Sequence, residues 1–110
     1  MSESRKKILL IEDEPDATEI ITGLLKSDED QFIVECSDRL KTGLERLSKD
    51  DIDLVLLDLT LPDSRSLDTL QSVQEQAPDC PIVILTGTND ESLALQAVKI
   101  GAQDYVLKSD

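Results

Sequence analysis

The run Leu54-Val55-Leu56-Leu57 followed by Asp58 constrains this chain more than any other stretch. Four consecutive apolar residues between polar flanks read as a strand buried on both faces, as the central strand of a parallel sheet is. Three further runs repeat the pattern. Lys7 to Ile11 ends on Glu12-Asp13-Glu14, Ile82 to Leu85 ends on Thr86, and the strand Asp104 to Leu107 ends on Lys108. A strand-end Asp is commonly a turn former, but chance would not often place a polar residue at the same end of four apolar strands. In open α/β sheets the crevice at the carboxyl ends of the strands is where ligands bind. Those residues are therefore candidates for chemistry rather than for packing.

Between the strands, apolar residues recur at helical spacing. Pro15 is suited to the first turn of a helix carrying Ala17, Ile20, Ile21, Leu24 and Leu25 on its buried side. Phe32 to Cys36, which mixes apolar residues with Glu35, reads as a strand near the sheet edge. Asp38 is the expected N-cap of a second helix with Leu40, Leu44 and Leu47 inward. Thr60 to Ser64 is expected to be loop, and Leu67, Leu70, Val73 and Ala77 mark a third helix. Asn89 or Asp90 is expected to cap a fourth helix with Leu93, Ala97 and Ile100 inward, ended by Gly101. Five alternations with short loops predict an α/β domain, a parallel sheet with helices on both faces. At 110 residues the chain, 1–110, is a single domain. Covering both faces of such a sheet calls for a fifth helix after Lys108, so the sequence reads as the truncated N-terminal fragment of a longer protein. The bare face leaves self-association into a homodimer open.

Composition removes several function classes. A net charge of -13 argues against nucleic acid or an anionic membrane as a direct partner. The polar, basic N-terminus lacks a secretory signal and no run reaches membrane-spanning length, which makes the cytoplasm the expected location. With no histidine, imidazole acid–base chemistry and the usual Ser/His and Cys/His pairs are absent. Cys36 and Cys80 form no close pair, so zinc and disulfides are disfavoured and buried reduced thiols are expected.

What converges at the strand ends is Glu12, Asp13, Asp58, Thr86 and Lys108. Several carboxylates in one crevice repel one another unless a cation sits among them, and an all-oxygen ligand set with waters suits magnesium. A hydroxyl and an ammonium facing that cation make a site for phosphoryl oxygens. Asp58 is then a candidate nucleophile forming an acyl phosphate.

The ordered motifs Ile-Leu-Leu-Ile-Glu-Asp-Glu, Leu-Leu-Asp-Leu-Thr-Leu-Pro, Ile-Leu-Thr-Gly and Asp-Tyr-Val-Leu-Lys resemble those of the receiver (REC) domains of bacterial two-component response regulators. The resemblance covers essentially the whole chain. It implies a flavodoxin-like, doubly wound sheet with strand order 2-1-3-4-5, and a phosphoacceptor signalling domain rather than a turnover enzyme. It further implies that Asp58 takes a phosphoryl group from a phosphohistidine on a sensor histidine kinase or histidine phosphotransfer protein. Asp13, Asp58 and the Thr60 backbone carbonyl would hold Mg2+ directly, and Glu12 through water. Thr86 and Lys108 would bind phosphoryl oxygens, Thr86 and Tyr105 would act as the conformational switch, and Thr60 and Thr88 would tune how long the acyl phosphate lasts. An output domain or downstream effector would read the result.

Three positions depart from the family pattern. Glu12 replaces the commoner aspartate, and Arg65-Ser66 stands where an acid and a glycine are usual, so Ser66 is expected to cap the third helix. A flavin carrier sharing the fold would need a phosphate loop where Glu12-Asp13-Glu14 stands, and a phosphatase would need an acid–base group near Thr60. The remaining alternative is a receiver-like docking or oligomerisation module in which phosphorylation is secondary.

Overall fold

The computed structural model describes residues 5–27 and 31–108. In chain order the elements are β1 (Lys6–Ile11), α1 (Pro15–Lys26), β2 (Phe32–Ser37), α2 (Leu40–Leu47), β3 (Leu54–Asp58), β4 (Thr60–Leu61), β5 (Ser64–Arg65), α3 (Leu67–Gln76), β6 (Ile82–Thr86), α4 (Glu91–Lys99) and β7 (Asp104–Leu107). A 3-10 turn, Thr88–Asp90, leads into α4. The main sheet has the order β2-β1-β3-β6-β7 with every pair parallel. Counting only its five strands, this is the expected 2-1-3-4-5.

Alternation along each strand divides the apolar residues between two faces. Leu9 and Ile11 of β1 pair with Val55 and Leu57 of β3, which pair in turn with Ile82 and Ile84 of β6. These six form one layer. It packs in a single buried cluster with Leu40 and Leu47 of α2, Leu70 and Val73 of α3, and Ala94 and Ala97 of α4. Each fully buried Leu, Ile or Val contributes about 1.5–3 kcal/mol. Helix α2 comes close because residue 43 is glycine: a Cβ there would sit 2.5 Å from Ile11 Cδ1. Gly101, at φ +127°, ends α4 in a conformation that other residues rarely adopt.

The opposite face carries Ile8, Leu10 and Leu85 and meets α1, which contributes no fully buried residue. Of the expected buried stripe, Ile20 and Leu24 are 51% and 69% exposed. They border a groove of about 240 Å³ that also exposes Val106 and Leu107 of β7.

Several local expectations are corrected. Asp38 does not cap α2; Arg39 holds the N-cap position without a side-chain bond, and the amides of Leu40 and Lys41 donate instead to the Asp63 carboxylate at 2.8 and 2.9 Å. Ser66 holds the N-cap position of α3 but makes no capping bond, because its backbone has turned to φ 67°, ψ -150°, a region that is essentially glycine territory. Neither Asn89 nor Asp90 caps α4: Asp90 occupies the position without a side-chain bond. Ile100, expected inward, is 42% exposed, and Ala94 takes its place in the core. The stretch expected as loop contains an antiparallel hairpin, β4 paired with β5. Both cysteines are free, but Cys36 is exposed, because the edge strand β2 has no fully buried position, and Cys80, in the connection before β6, is half-buried.

Candidate functional site

Parallel pairing in this register makes the strands end side by side. Asp58, the last residue of β3, lies beside Leu85, and Thr86, the last of β6, lies beside Leu107. The Lys108 amide donates to the Thr86 carbonyl at 2.7 Å, which carries the ladder to the residue that matters. Glu12 follows β1 directly, its amide bonded to the Ser37 carbonyl of β2. The strand ends therefore deliver Asp58, Thr86 and Lys108 to one crevice of about 390 Å³, with Asp13 and Glu14 on its wall and Glu12 buried beside it against Lys108.

The Lys108 ammonium is the hub. Its Nζ lies 3.1 Å from Asp58 Oδ2, 2.8 Å from Glu12 Oε1 and 2.7 Å from Glu14 Oε1. Glu12 is buried and Asp58 nearly so, whereas Glu14 is largely exposed. Asp58 Oδ1 accepts from the Thr60 amide at 2.9 Å, and Glu12 Oε2 accepts from the Glu14 amide at 3.1 Å. Glu12 Oε1 is fully buried, and the Lys108 ammonium 2.8 Å away is the cation that offsets its charge.

Burial pushes the Glu12 carboxyl up from 4.5 to about 7; the Lys108 ammonium opposes the rise and the Asp58 carboxylate adds to it. Burial alone would lower the Lys108 pKa, but Glu12, Glu14 and Asp58 outweigh it and hold the ammonium protonated well beyond its ordinary range. Oxygens of Glu12, Glu14 and Asp58 lie within 4.8 Å of one another, close enough to share one cation. Three carboxylates around one ammonium leave negative charge unmatched, and such an oxygen-only set fits a hard divalent cation.

The remaining expected site residues fall around this cluster. Asp13 is half-buried on the crevice wall, and its carboxylate is outside the group formed by Glu12, Glu14 and Asp58. Thr86 is buried, and its hydroxyl donates to the Gly87 carbonyl at 3.1 Å. Thr60 is exposed on β4, and the side chain of Thr88 lies outside the described residues. Tyr105 is half-buried on β7; its phenol donates to Glu91 Oε2 of α4 at 2.6 Å. That bond pushes the phenol pKa up. Sequence reasoning missed Glu14 and Glu91. Glu14 had a signal, being the third acid in a row after β1, whereas nothing near Glu91 in the chain points to a tyrosine 14 residues away.

Among the described residues no helix is long and apolar enough to cross a membrane. The family described as the response regulator receiver domain matches residues 8–109. The chain is 34% identical over 108 residues to the response regulator protein PilR of Pseudomonas aeruginosa, covering 96% of this chain and 23% of that protein. It is 34% identical over 102 residues to the cell cycle transcriptional regulator CtrA of Caulobacter vibrioides, covering 93% and 43% respectively. The chain thus spans less than half the length of these curated relatives. Among solved structures it superposes on the receiver domain of NtrX from Brucella abortus with a TM-score of 0.82 at 30% identity, covering 94% of this chain and 86% of that one. With the five-stranded order, the acidic crevice and the strand-end lysine all in place, the chain belongs to the receiver domain family of two-component response regulators.

Proposed function

We propose that Asp58 is the phosphoacceptor and that the crevice around it catalyses the transfer. The observation that carries this reading is the Lys108 ammonium bridging Asp58 and the buried Glu12 at 3.1 and 2.8 Å. A carboxylate oxygen of Asp58 attacks phosphorus in a phosphohistidine presented by a sensor kinase or phosphotransfer protein. The P–N bond breaks, its electron pair stays on the imidazole nitrogen, which takes a proton, and an acyl phosphate remains on Asp58. Asp13, Asp58 and the Thr60 carbonyl would hold Mg2+, with Glu12 acting through water, to supply charge neutralisation for the phosphoryl oxygens.

Lys108 pairs with one phosphoryl oxygen, releasing its contact with the Asp58 carboxylate. Thr86 turns its hydroxyl from the Gly87 carbonyl toward another. Tyr105 then moves relative to Glu91, shifting the population of the α4–β7 surface toward an active state. Thr60 and Thr88 tune the lifetime of the acyl phosphate. The domain works as a signalling element, catalysing its own phosphorylation and dephosphorylation without turning over a separate substrate. It belongs to a longer cytoplasmic protein whose output domain or effector reads the change.

The test is intact mass after incubation with acetyl phosphate and Mg2+. A single Mg2+-dependent phosphoryl addition, labile to hydroxylamine and absent in Asp58→Asn, is expected. A folded wild-type chain that stays unmodified, or an Asp58→Asn chain modified equally, would sink the assignment.

A further inference from the structure

We propose that Asp63 is a positioning residue that ties the loop after Asp58 to the start of α2, fixing the Thr60 carbonyl; the inference rests on the reading of Asp58 as phosphoacceptor. Asp63 lies at the turn of the β4–β5 hairpin, and its carboxylate straddles two amides of another element, Leu40 N on Oδ1 at 2.8 Å and Lys41 N on Oδ2 at 2.9 Å. Partial burial would raise its pKa, but the two α2 amides, with its own amide and the Arg39 charge, outweigh this and hold it below its ordinary value. Both amides are among those a helix start leaves unpaired, and neither Asp38 nor Arg39 supplies them with a side-chain acceptor. The negative charge also faces the positive end of the helix dipole.

The other end of the same loop is fixed to the site itself. The Thr60 amide donates to Asp58 Oδ1 at 2.9 Å, and the Ser66 amide donates to the Leu59 carbonyl at 2.7 Å. The hairpin bearing Thr60 is thus held at its base by Asp58 and at its tip by α2. Freeing the tip leaves two short strands of two residues each to hold the carbonyl in place. Loosening a group that orients a metal ligand weakens metal affinity and rate together.

A helix cap and a loop tether are separable. Position 39 has the extended backbone of an N-cap, φ -144° and ψ 154°, so Arg39→Ser supplies a local acceptor to α2 without restoring the tie to the loop. The experiment compares the wild type, Asp63→Ala, Arg39→Ser and the double variant. It reads thermal unfolding, Mg2+ affinity from the NMR shift of the Thr60 amide, and the acetyl phosphate reaction rate. Asp63→Ala is expected to lower Tm by about 4–8 °C and to weaken Mg2+ affinity by about tenfold. The double variant regains most of the Tm while Mg2+ affinity and rate stay low, and Arg39→Ser alone behaves as wild type in both. Recovery of affinity and rate together with Tm in the double variant would reduce Asp63 to a helix cap and overturn the proposal. A wild type that neither binds Mg2+ nor takes a phosphoryl group would overturn the Asp58 reading, and this one with it; only the variants can overturn the tether alone.

Discussion

Two clusters of charge in this molecule are built from the same residue types and behave in opposite ways. Beside β2, Arg46 pairs with Glu35 through two bonds of 2.6 and 2.8 Å and also with Asp51, which in turn accepts from Lys7 at 2.9 Å. Two cations meet two anions, and every partner reaches solvent to some degree. At the strand ends, Glu12, Glu14 and Asp58 share one ammonium, so three anions meet a single cation. The first arrangement is complete as it stands. The second carries unbalanced negative charge in a crevice, which is costly unless something else binds there. Charge balance, rather than the number of acids, separates a structural ion network from a site.

The comparison is tested most severely by removing the central cation from each cluster. In Lys108→Met three carboxylates face one another with no counter-charge, and a loss of about 3 kcal/mol is expected without metal near pH 8. Saturating Mg2+ should return part of it. In Arg46→Met the same change beside the solvent-exposed acids Glu35 and Asp51 should cost about 1 kcal/mol or less. Equal losses in denaturant titrations of the two variants would erase the distinction.

The pH dependence sharpens it. In the folded chain Glu12 keeps its proton to about pH 7, whereas the unfolded chain releases it near 4.5. The folded state therefore binds the extra proton in that interval, and Glu12 lowers stability as pH rises through it, by at most about 3 kcal/mol. Asp51 and Glu35 have the opposite sign: Arg46 holds both below their ordinary values, so their stabilisation is present above the ordinary carboxylate range and is lost as pH falls below it. Denaturant titrations from pH 5 to 8 should show the falling contribution in wild type and its removal in Glu12→Gln. An unchanged slope in that variant would place the effect elsewhere.

A smaller effect concerns the loop that joins the site to α3. Ser66 sits at φ 67°, ψ -150°, a conformation costing a non-glycine residue about 1–3 kcal/mol. Ser66→Gly relieves that cost but adds freedom to the unfolded chain, so a net gain of about 1 kcal/mol is expected, read as a higher denaturant midpoint at constant m-value. Destabilisation would mean that the serine makes a contact worth more than the strain.

Much of this architecture is legible in the chain. Four strands of the main sheet announce themselves as apolar runs, though β7 stands largely exposed, and the polar residue that ends each names a member of the charged cluster or the crevice: Glu12, Asp58, Thr86 and Lys108. What the sequence hides is settled by distant partners. A cap for α2 is sought next to its start, at Asp38, yet the carboxylate that arrives is Asp63, 23 residues from Leu40. Helical spacing identifies the apolar stripe of α1 but does not tell whether anything covers it, and Ile20 and Leu24 stand exposed. Glu14 is flagged by the run of three acids after β1, but its partner, the Lys108 ammonium at 2.7 Å, is 94 residues away. The positive φ at Ser66 leaves no trace in the residue type, because the family's glycine has been replaced.

The most direct measurement is calorimetric titration of Mg2+ into the wild type, Glu12→Gln, Asp58→Asn and Arg46→Met, run near pH 7 in two buffers of different ionisation enthalpy. One saturable site per chain is predicted, with partial proton release from Glu12 in wild type. Affinity should fall sharply in Asp58→Asn, proton release should vanish in Glu12→Gln, and Arg46→Met should match wild type. Absence of saturable binding, or equal affinity in the Asp58→Asn chain, would contradict the claim that the unbalanced acids at the strand ends form the cation site for phosphoryl transfer.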